Sequence, residues 1–223
     1  DRMGDHEKQE TVLKIMSFVC FLDYMDENNN NDSISFNINY VETANIPYLE
    51  DFESGIYPPL HWGIEDPGGT LTWSPSNGII GSDGNTTTAS FMNNYSYISY
   101  GAEDGLLIHK VDLTNGQSPF LTFDLAYGRW SNVYFDALKV LVSDDCGENF
   151  QQLYFKSGSD VYGNNLSTVG NQNNAFFPSS SSHWRNDSIS LAAYAGKSIL
   201  IKFVNIAGYG NNLFIDNVHI RDV

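Results

Sequence analysis

Two carboxylates stand close together in a strand-like stretch of the chain, Ile46–Gly55. Side chains alternate between the two faces of a strand, so we expect Asp51 and Glu53 on one face and Phe52 on the other. Like charges side by side repel each other unless a positive group lies between them, and no Lys or Arg is near them in the sequence. The pair therefore either forms an exposed acidic strand end or binds a cation.

A third carboxylate lies near the far end of the chain, in the stretch Leu213–Ile220. In a strand, Asp216 would share a face with Phe214, Val218 and Ile220, which makes that face the apolar, inward one. An unpaired carboxylate is costly there, so it either accepts hydrogen bonds from backbone amides or binds a cation. If the first and last strands are neighbours, three carboxylates converge. Ca²⁺, which prefers carboxylate, carbonyl and water oxygens, is then the simplest partner.

Aromatic side chains offer a second kind of binding site, because sugar rings stack on exposed aromatic rings. The candidates are Tyr95, Tyr97, Tyr100, Trp130, Tyr134, Trp184 and Tyr209. Most aromatic residues of a globular domain belong to its core, so we expect two or three of them to be exposed. We predict Trp130, Tyr134 and Tyr209 as glycan-binding residues.

Motifs for catalysis are incomplete or missing. His6-Glu7 begins an HExxH pattern, but Glu10 stands where the second His is required. The sequence has no G-x-S-x-G, no phosphate-binding loop and no G-x-G-x-x-G. A pair of carboxylates for glycoside hydrolysis stays open among so many acids, but none has an evident sugar-binding partner set. We therefore predict that the chain is not an enzyme.

Length and charge exclude several classes of partner. The chain has 223 residues, of which 41% are hydrophobic, enough for the core of one large domain. Its formal net charge is −16 with 11 basic residues, which argues against nucleic acid and anionic membrane surfaces as partners. The longest apolar run, Ile15–Leu22, is too short to cross a bilayer. Cys20 and Cys146 are predicted to be buried free thiols, with a single bridge between them as the alternative.

The elements that must position these residues are strands. The alternating runs Thr11–Leu22 and Ser33–Tyr40 flank a polar loop, a pattern typical of a β-hairpin. From Ile46 onward, apolar runs are separated by Gly, Asn, Pro and Ser, which predicts an antiparallel sandwich over residues 46–223 after a hairpin fragment in residues 1–45. The predicted strands include Ser90–Met92, Gly105–Ile108, Phe120–Tyr127, Ala137–Ser143, Phe150–Lys156, Ser188–Leu191, Ser198–Ile206 and Asn212–Ile220.

One turn can be predicted in detail from Ser143, Asp145, Gly147 and Phe150. Their spacing is typical of an Asp-box hairpin. In such a turn the Asp side chain accepts hydrogen bonds from turn amides, the Gly takes a positive φ, and the aromatic ring anchors the second strand. We therefore predict a structural role for Asp145.

Several motifs follow one another in the order seen in one group of domains. They are Pro47-Tyr48-x-Glu50-Asp51-Phe52-Glu53; Pro58-x-x-His61-Trp62 with Trp73; Ala102-Glu103-Asp104-x-Leu106-Leu107-Ile108; Val142-Ser143-x-Asp145-x-Gly147; and Phe214-Ile215-Asp216-Asn217-Val218. With them, the stretch from Ile46 to Ile220 resembles the cleaved-adhesin and choice-of-anchor J jelly-roll domains, with MAM domains as distant relatives. Gly105 departs from the family, which usually has Trp there, so a shallower core is expected at that point.

The resemblance implies an all-β fold, a jelly-roll β-sandwich of antiparallel strands with an N-terminal β-hairpin fragment. It also implies Ca²⁺ at Asp51, Glu53 and Asp216, in agreement with the argument from strand faces, and Asp66 in the loop before Trp73 is a fourth candidate. The residues before Ile46 resemble the last hairpin of an Ig-like, adhesion-related domain.

The resemblance further implies a function. Such domains are non-catalytic accessory modules of large secreted or cell-surface bacterial proteins, often exported by type IX secretion. We expect a calcium-stabilised adhesion module that binds a protein or surface glycan beside other domains of a larger chain. The alternative is a carbohydrate-binding module attached to a secreted hydrolase or protease. Ser33 and Ser188, each within Asp-Ser-Ile, resemble acceptors for bacterial O-glycosylation.

Overall fold

The computed structural model describes the backbone of residues 15–21, 33–39, 43–69 and 71–222, and the side chains of the last two ranges. The chain divides into two compact units, Asp1–Glu42 and Thr43–Val223. In the first unit, β1 (Ile15–Phe21) pairs antiparallel with β2 (Ser33–Asn39). This is the pairing expected of the predicted hairpin.

The second unit consists of short strands joined by loops. In chain order the strands are β3 (Ala44–Asn45), β4 (Tyr48–Glu50), β5 (Gly63–Glu65), β6 (Ser74–Ile80), β7 (Thr86–Met92), β8 (Glu103–Leu107), β9 (Val111–Asp112), β10 (Phe120–Tyr127), β11 (Ala137–Ser143), β12 (Gln151–Ser157), β13 (Arg185–Ser190), β14 (Ser198–Ile206) and β15 (Leu213–Arg221). Single 3₁₀ turns lie at Asp160–Tyr162, Ser181–His183 and Ala192–Tyr194. No helix in the described part of the chain is long and apolar enough to cross a membrane.

The strands of the second unit form two sheets. One has six strands in the order β13-β10-β15-β7-β6, with β4 also paired to β15. The other has seven, in the order β12-β11-β14-β8-β5, with β9 paired to β14 and β3 paired to β9. Neighbouring strands are antiparallel except β3 and β9. The predicted jelly-roll β-sandwich is confirmed.

The main core lies between the sheets and follows the two-residue period of the strands. Every second residue of β10 and of β11 is buried in it, namely Leu121, Phe123, Leu125, Leu138, Val140 and Val142. Each such side chain contributes roughly 1.5–3 kcal/mol by leaving water. These apolar faces of β10 and β11 are therefore among those that hold the two sheets together.

A second apolar cluster covers the outer face of the six-stranded sheet. The long segment between β12 and β13 places Phe176 and Trp184 over Phe214 of β15. The indole N–H of Trp184 donates to the carbonyl of Ile80 at 2.7 Å, which fixes the segment to β6. This outer face is thus partly closed to water, and polar groups beside the cluster are buried.

A β-bulge interrupts β15 at Asn217. The pairing with β10 shifts between Thr122 and Asp124, and Asn217 has a φ of +48°. Such an extra residue shifts the alternation of side chains by one position. The core-facing residues are therefore odd-numbered before the bulge and even-numbered after it. They are Leu213 and Ile215 before the bulge, and Val218 and Ile220 after it.

The bulge overturns one prediction about Asp216. This side chain lies on the outer face with Phe214, which belongs to the outer cluster. Its strand partner Asp124 likewise lies on the face opposite to the core residues of β10. The prediction that Asp216 shares an inward face with Val218 and Ile220 is wrong, because alternation cannot be continued across a bulge.

The turn between β11 and β12 confirms the predicted Asp-box hairpin. Asp145 accepts hydrogen bonds from the Asn149 N–H at 2.9 Å and from the Ser143 hydroxyl at 2.7 Å, and these contacts lower its pKa to about 2. Gly147 has a φ of +92°. Cys146, in the same turn, has a free and exposed thiol, so its predicted burial is wrong.

Gly105 faces outward from the seven-stranded sheet. A Cβ atom at this position would lie 3.1 Å from Glu65 Oε2 and 3.1 Å from Lys202 Cδ. These residues line an open groove of about 490 Å³, together with Glu103. The expected shallower core is therefore wrong, because the missing side chain opens the outer surface and leaves the core unchanged.

Candidate functional site

The two strands that carry the predicted calcium ligands are neighbours. Strand β4 pairs antiparallel with β15, so that Glu50 lies opposite Val218 and Tyr48 lies opposite Ile220. The opening and closing strands therefore lie together, which is the condition on which the predicted convergence of carboxylates depends. This pairing brings the residues after β4 towards Asp216.

Strand β4 ends at Glu50, and the next residues form a tight turn. Phe52 enters the core with a φ of +56°, while Asp51 is exposed and accepts the Glu53 N–H at 3.1 Å. Asp51 and Glu53 therefore do not alternate along a strand as predicted. The strand has ended there, and the left-handed backbone of Phe52 forms part of the turn.

Glu53 and Asp216 meet at one hydroxyl group. The Thr87 hydroxyl lies 2.7 Å from Glu53 Oε1 and 3.1 Å from Asp216 Oδ2. The Thr88 N–H also donates to Glu53 Oε1, at 2.6 Å. A hydroxyl carries one proton and cannot donate to both carboxylates at once. The hydroxyl therefore serves only one of the two carboxylates at a time, while Glu53 is exposed and Asp216 also accepts the Asn217 N–H.

Asp216 is a buried acid among other acids. Its side chain is 1% exposed and accepts the Asn217 N–H at 2.7 Å. Burial, together with the negative charges of Asp124 and Glu53, raises the pKa of Asp216 to about 7. A positive charge at this point would remove the repulsion and return the carboxyl group to its ionised form.

Asp124 belongs to the same neighbourhood and was missed in the sequence analysis. It accepts hydrogen bonds from the Ser82 hydroxyl at 2.6 Å, the Asn186 amide at 2.7 Å and the Asn217 amide at 3.0 Å. The available signal was a lone acid at an outward position of a predicted strand. Because its oxygens are occupied by donors, Asp124 acts on Asp216 through its charge.

Asp66 lies apart from this group, in the loop after β5 of the other sheet. Its carboxylate accepts the Gly69 N–H at 2.6 Å. Its charge raises the pKa of Asp104, a carboxyl group on β8 with no exposed surface. Burial is the larger cause and brings the pKa of Asp104 to about 6. The structure therefore does not bring Asp66 to Glu53 and Asp216.

Carboxylate and hydroxyl oxygens, which are kinds of ligand that Ca²⁺ accepts, lie together at Glu53, Thr87 and Asp216. Among the side chains that the structure describes, no three His, Cys, Asp or Glu residues lie close enough to hold a metal by themselves. Backbone carbonyls and water would have to complete the coordination.

Aromatic side chains from three loops meet at one end of the sandwich. The ring centroids of Tyr100 and Tyr209 are 5.5 Å apart, those of Tyr134 and Tyr209 are 6.4 Å apart, and those of Tyr95 and Trp130 are 5.7 Å apart. We call these five residues the aromatic end surface. It contains all three residues predicted for glycan binding and adds two more.

The exposure of these rings separates them from the core aromatics. Tyr100 is 72% exposed, Tyr134 48%, Tyr209 45% and Tyr95 43%, and Trp130 is half-buried. Two other candidates from the sequence, Tyr97 and Trp184, are buried. The surface therefore offers several ring faces to a ligand without unfolding any part of the core.

Hydrogen bonds hold the loops of the aromatic end surface. The Ser131 hydroxyl accepts the Tyr134 N–H at 3.0 Å, and the Tyr95 N–H donates to the Asn212 side chain at 3.3 Å. Arg129, next to Trp130, donates to the Gly158 carbonyl at 2.6 Å. These hydrogen bonds fix the positions of the loops that carry the rings.

The two predicted glycosylation sites are Ser188, on β13, and Ser33, on β2. Ser188 is exposed on β13, but Asp187 before it is buried and bound to Arg185 at 2.8 Å and Lys156 at 2.9 Å. The Ser33 side chain lies outside the described residues. O-glycosylation stays a prediction for both.

Comparison with known proteins agrees with this architecture. The similarity that it shows is one of fold. No protein-family model and no curated protein matches the sequence. The class defined by the two sheets is the jelly-roll sandwich, and similar solved structures exist for it. The K1 cleaved adhesin domain of Lys-gingipain from Porphyromonas gingivalis W83 has a TM-score of 0.54 and 20% identity, over 79% of this chain and 98% of that domain.

Two further domains of the same protein are also similar. The K3 domain has a TM-score of 0.54 at 18% identity, over 79% of this chain and 98% of that domain. The K2 domain has a TM-score of 0.50 at 14% identity, over 78% of this chain and 98% of that domain. The predicted resemblance to cleaved-adhesin domains is confirmed at the level of the fold.

Proposed function

We propose that the second unit is a non-catalytic adhesion module that binds glycans through the aromatic end surface. The observation that supports this most directly is the group of rings at Tyr100, Tyr134 and Tyr209, which lie together and are exposed. Exposed apolar patches on soluble domains commonly mark binding sites, and aromatic faces suit the apolar faces of sugar rings. The fold, similar to that of cleaved adhesin domains, supports the same proposal.

The charge of the chain narrows the glycan class. The formal net charge is −16, so an anionic glycan would be repelled at long range. Stacking of a sugar on an aromatic ring needs no ionic partner. We therefore propose neutral glycans as the ligands.

Glycan-array binding followed by calorimetry tests this proposal on the whole chain. For any neutral glycan that binds, Trp130→Ala and Tyr209→Ala should each weaken the affinity by about tenfold, as expected when a stacked ring worth roughly 1.5 kcal/mol is lost. Tyr162→Ala is the matched control, because Tyr162 is 55% exposed and lies outside the aromatic end surface. An array without hits, or equal affinities for all three variants, would refute the proposal.

A protein ligand is the second candidate for the same loops. Ile98 is 83% exposed and Val133 is 67% exposed, and aliphatic side chains are better suited to protein surfaces than to sugars. Periodate oxidation of a coated ligand surface separates the two candidates, since it destroys sugar diols and leaves polypeptide. Adhesion that survives periodate and is lost in Ile98→Ser would favour a protein ligand.

We also propose that Ca²⁺ binds at Glu53 and Asp216, beside the Thr87 hydroxyl. The single hydroxyl shared by these two carboxylates and the raised pKa of Asp216 support this. Asp51 is the nearest further carboxylate in sequence and is exposed, so it could join through a small movement of its turn. The ion would act as a structural tie between the turn after β4, strand β7 and strand β15.

The setting of the module is also proposed. We infer that it serves as an accessory domain of a larger secreted or cell-surface bacterial protein, exported by a route such as type IX secretion. The acidic composition and the fold support an extracellular setting. Attachment to a hydrolase or protease as a carbohydrate-binding module is the alternative, and it would use the same aromatic end surface.

A further inference from the structure

Asp136 lies behind the aromatic end surface, at a place set by strand pairing. It immediately precedes β11, whose first residue Ala137 pairs with Ile206, the last residue of β14. The loop that follows β14 therefore starts beside Asp136. Its side chain is 1% exposed, so it has no direct access to a ligand.

The Asp136 carboxylate binds this loop on both sides of Tyr209. One oxygen accepts the Gly208 N–H at 2.8 Å and the Gly210 N–H at 3.2 Å. The other accepts the Asn211 N–H at 2.8 Å and the Tyr127 hydroxyl at 3.1 Å. Because the carboxylate faces donors only, it does not act as a metal ligand.

The two glycines are required by this close approach. A Cβ atom at Gly208 would lie 2.0 Å from the carbonyl oxygen of Phe135, and one at Gly210 would lie 2.1 Å from Asp136 Oδ2. Between them Tyr209 has a φ of +59°, a left-handed conformation that non-glycine residues seldom adopt. The loop holds this residue in a strained state, which persists only where the surroundings enforce it.

We propose that Asp136 is a positioning residue that clamps the loop and so presents the Tyr209 ring to the ligand. Clamped in this way, the ring stays beside Tyr100 and Tyr134 in the free protein, and less conformational entropy is lost on binding. The role in binding rests on the proposed function, whereas the clamp itself can be measured without any ligand.

Hydrogen exchange of the unmodified chain gives the first test. The N–H groups of Gly208, Gly210 and Asn211 should exchange slowly, close to the rate of β11, although they belong to a loop between strands. The exposed turn at Ser54 and Gly55, after β4, is the internal comparison for an unclamped turn. Exchange in the 208–211 loop as fast as in that turn would overturn the proposal.

Asp136→Asn gives the second test, since an amide has one acceptor oxygen and cannot serve four donors. Chymotrypsin cleavage after Tyr209, followed by mass spectrometry, should become about tenfold faster in the variant as the loop opens. Cleavage after Tyr162 in the same molecules is the control and should not change. Unchanged cleavage after Tyr209 in a folded variant would overturn the clamp.

Binding separates this proposal from the proposed function. Asp136→Asn should weaken the affinity for a neutral glycan by about tenfold through lost preorganisation, at a temperature where circular dichroism shows the variant folded. In the Tyr209→Ala background the same substitution should have little further effect. A chain that binds no glycan refutes the proposed function, while exchange and cleavage still decide whether Asp136 clamps the loop.

Discussion

The buried aspartates of this sandwich differ in the groups that compensate their negative charge. Asp187 is paired with Arg185 and Lys156, and Asp136 is surrounded by backbone N–H donors. Asp216 shares a single hydroxyl with another acid, and Asp104 has the Tyr97 hydroxyl as the neighbour that lowers its pKa. Burial raises the pKa of Asp136 to about 6 despite its donors, so pH should affect Asp104, Asp136 and Asp216 alike, whereas a cation should affect the two that have few donors.

Asp104→Asn tests this at the scale of one residue. Burial raises the pKa of Asp104 to about 6 in the folded protein, whereas an unfolded chain has a pKa near 3.9. The folded state therefore binds more protons between these values, and stability falls as pH rises through this range. We expect the Asn variant to be more stable than the parent at pH 8, on the order of 1–3 kcal/mol, and about equal at pH 4.

Urea unfolding at both pH values measures this difference. Asp83→Asn is a suitable control, because Asp83 is an exposed turn residue whose pKa is lowered by the Asn85 N–H. The same stability difference between Asp104→Asn and the parent at pH 4 and pH 8 would contradict the assignment.

At the scale of elements, the bulge in β15 decides which side of the sheet receives Asp216. Strand β15 carries core residues on both sides of Asn217. The positive φ of this residue allows the alternation of inward and outward side chains to shift by one position. The Asn217 amide also donates to Asp124 at 3.0 Å, which links the bulge to β10. One backbone conformation therefore controls both the core packing and the placement of the carboxylate.

Substitutions at Asn217 test the role of the bulge. Asn217→Val should destabilise the fold by about 1–3 kcal/mol, because a β-branched residue resists the left-handed conformation. Asn217→Gly adopts that conformation freely and loses the hydrogen bond to Asp124, so its cost should be nearer 1 kcal/mol. Urea denaturation with equal m-values measures both, and equal losses for Val and Gly would refute a requirement for positive φ.

At the scale of the whole molecule, Glu53 connects three strands of the six-stranded sheet. This residue follows β4, contacts Thr87 and Thr88 of β7, and lies beside Asp216 of β15 through the shared hydroxyl. A cation at this point would connect three segments that are far apart in the sequence. Its removal should therefore lower the stability of the sandwich as a unit.

Chelation tests this proposal. Removing Ca²⁺ should lower Tm by about 5–10 °C, the shift expected if saturating ion contributes roughly 2.7 kcal/mol to a domain of this size. Asp216→Asn and Glu53→Gln should each lose most of this sensitivity, whereas Asp83→Asn should keep it. Differential scanning calorimetry with and without chelator measures the shift, and coincident curves for the parent would argue against the ion.

Much of the architecture follows from local pattern. The bounds predicted for Phe120–Tyr127, Ala137–Ser143 and Ser198–Ile206 agree with β10, β11 and β14, because their alternation is strong and they occupy inner positions of the sheets. Strand β6 was missed, since Pro75 and Gly78 lower its strand propensity and an edge strand tolerates them.

The sequence by itself determined the Asp-box turn and the inner strands, because these depend on local side-chain chemistry, whereas the pairing of β4 with β15 was a condition that the tertiary structure had to meet. Only the tertiary structure decided that Asp216 lies on the outer face, that Asp66 lies apart from it, and that Asp136 holds the loop of Tyr209. The physical reason is that a bulge, a tight turn and a buried carboxylate each depend on contacts between distant segments, which no local pattern contains.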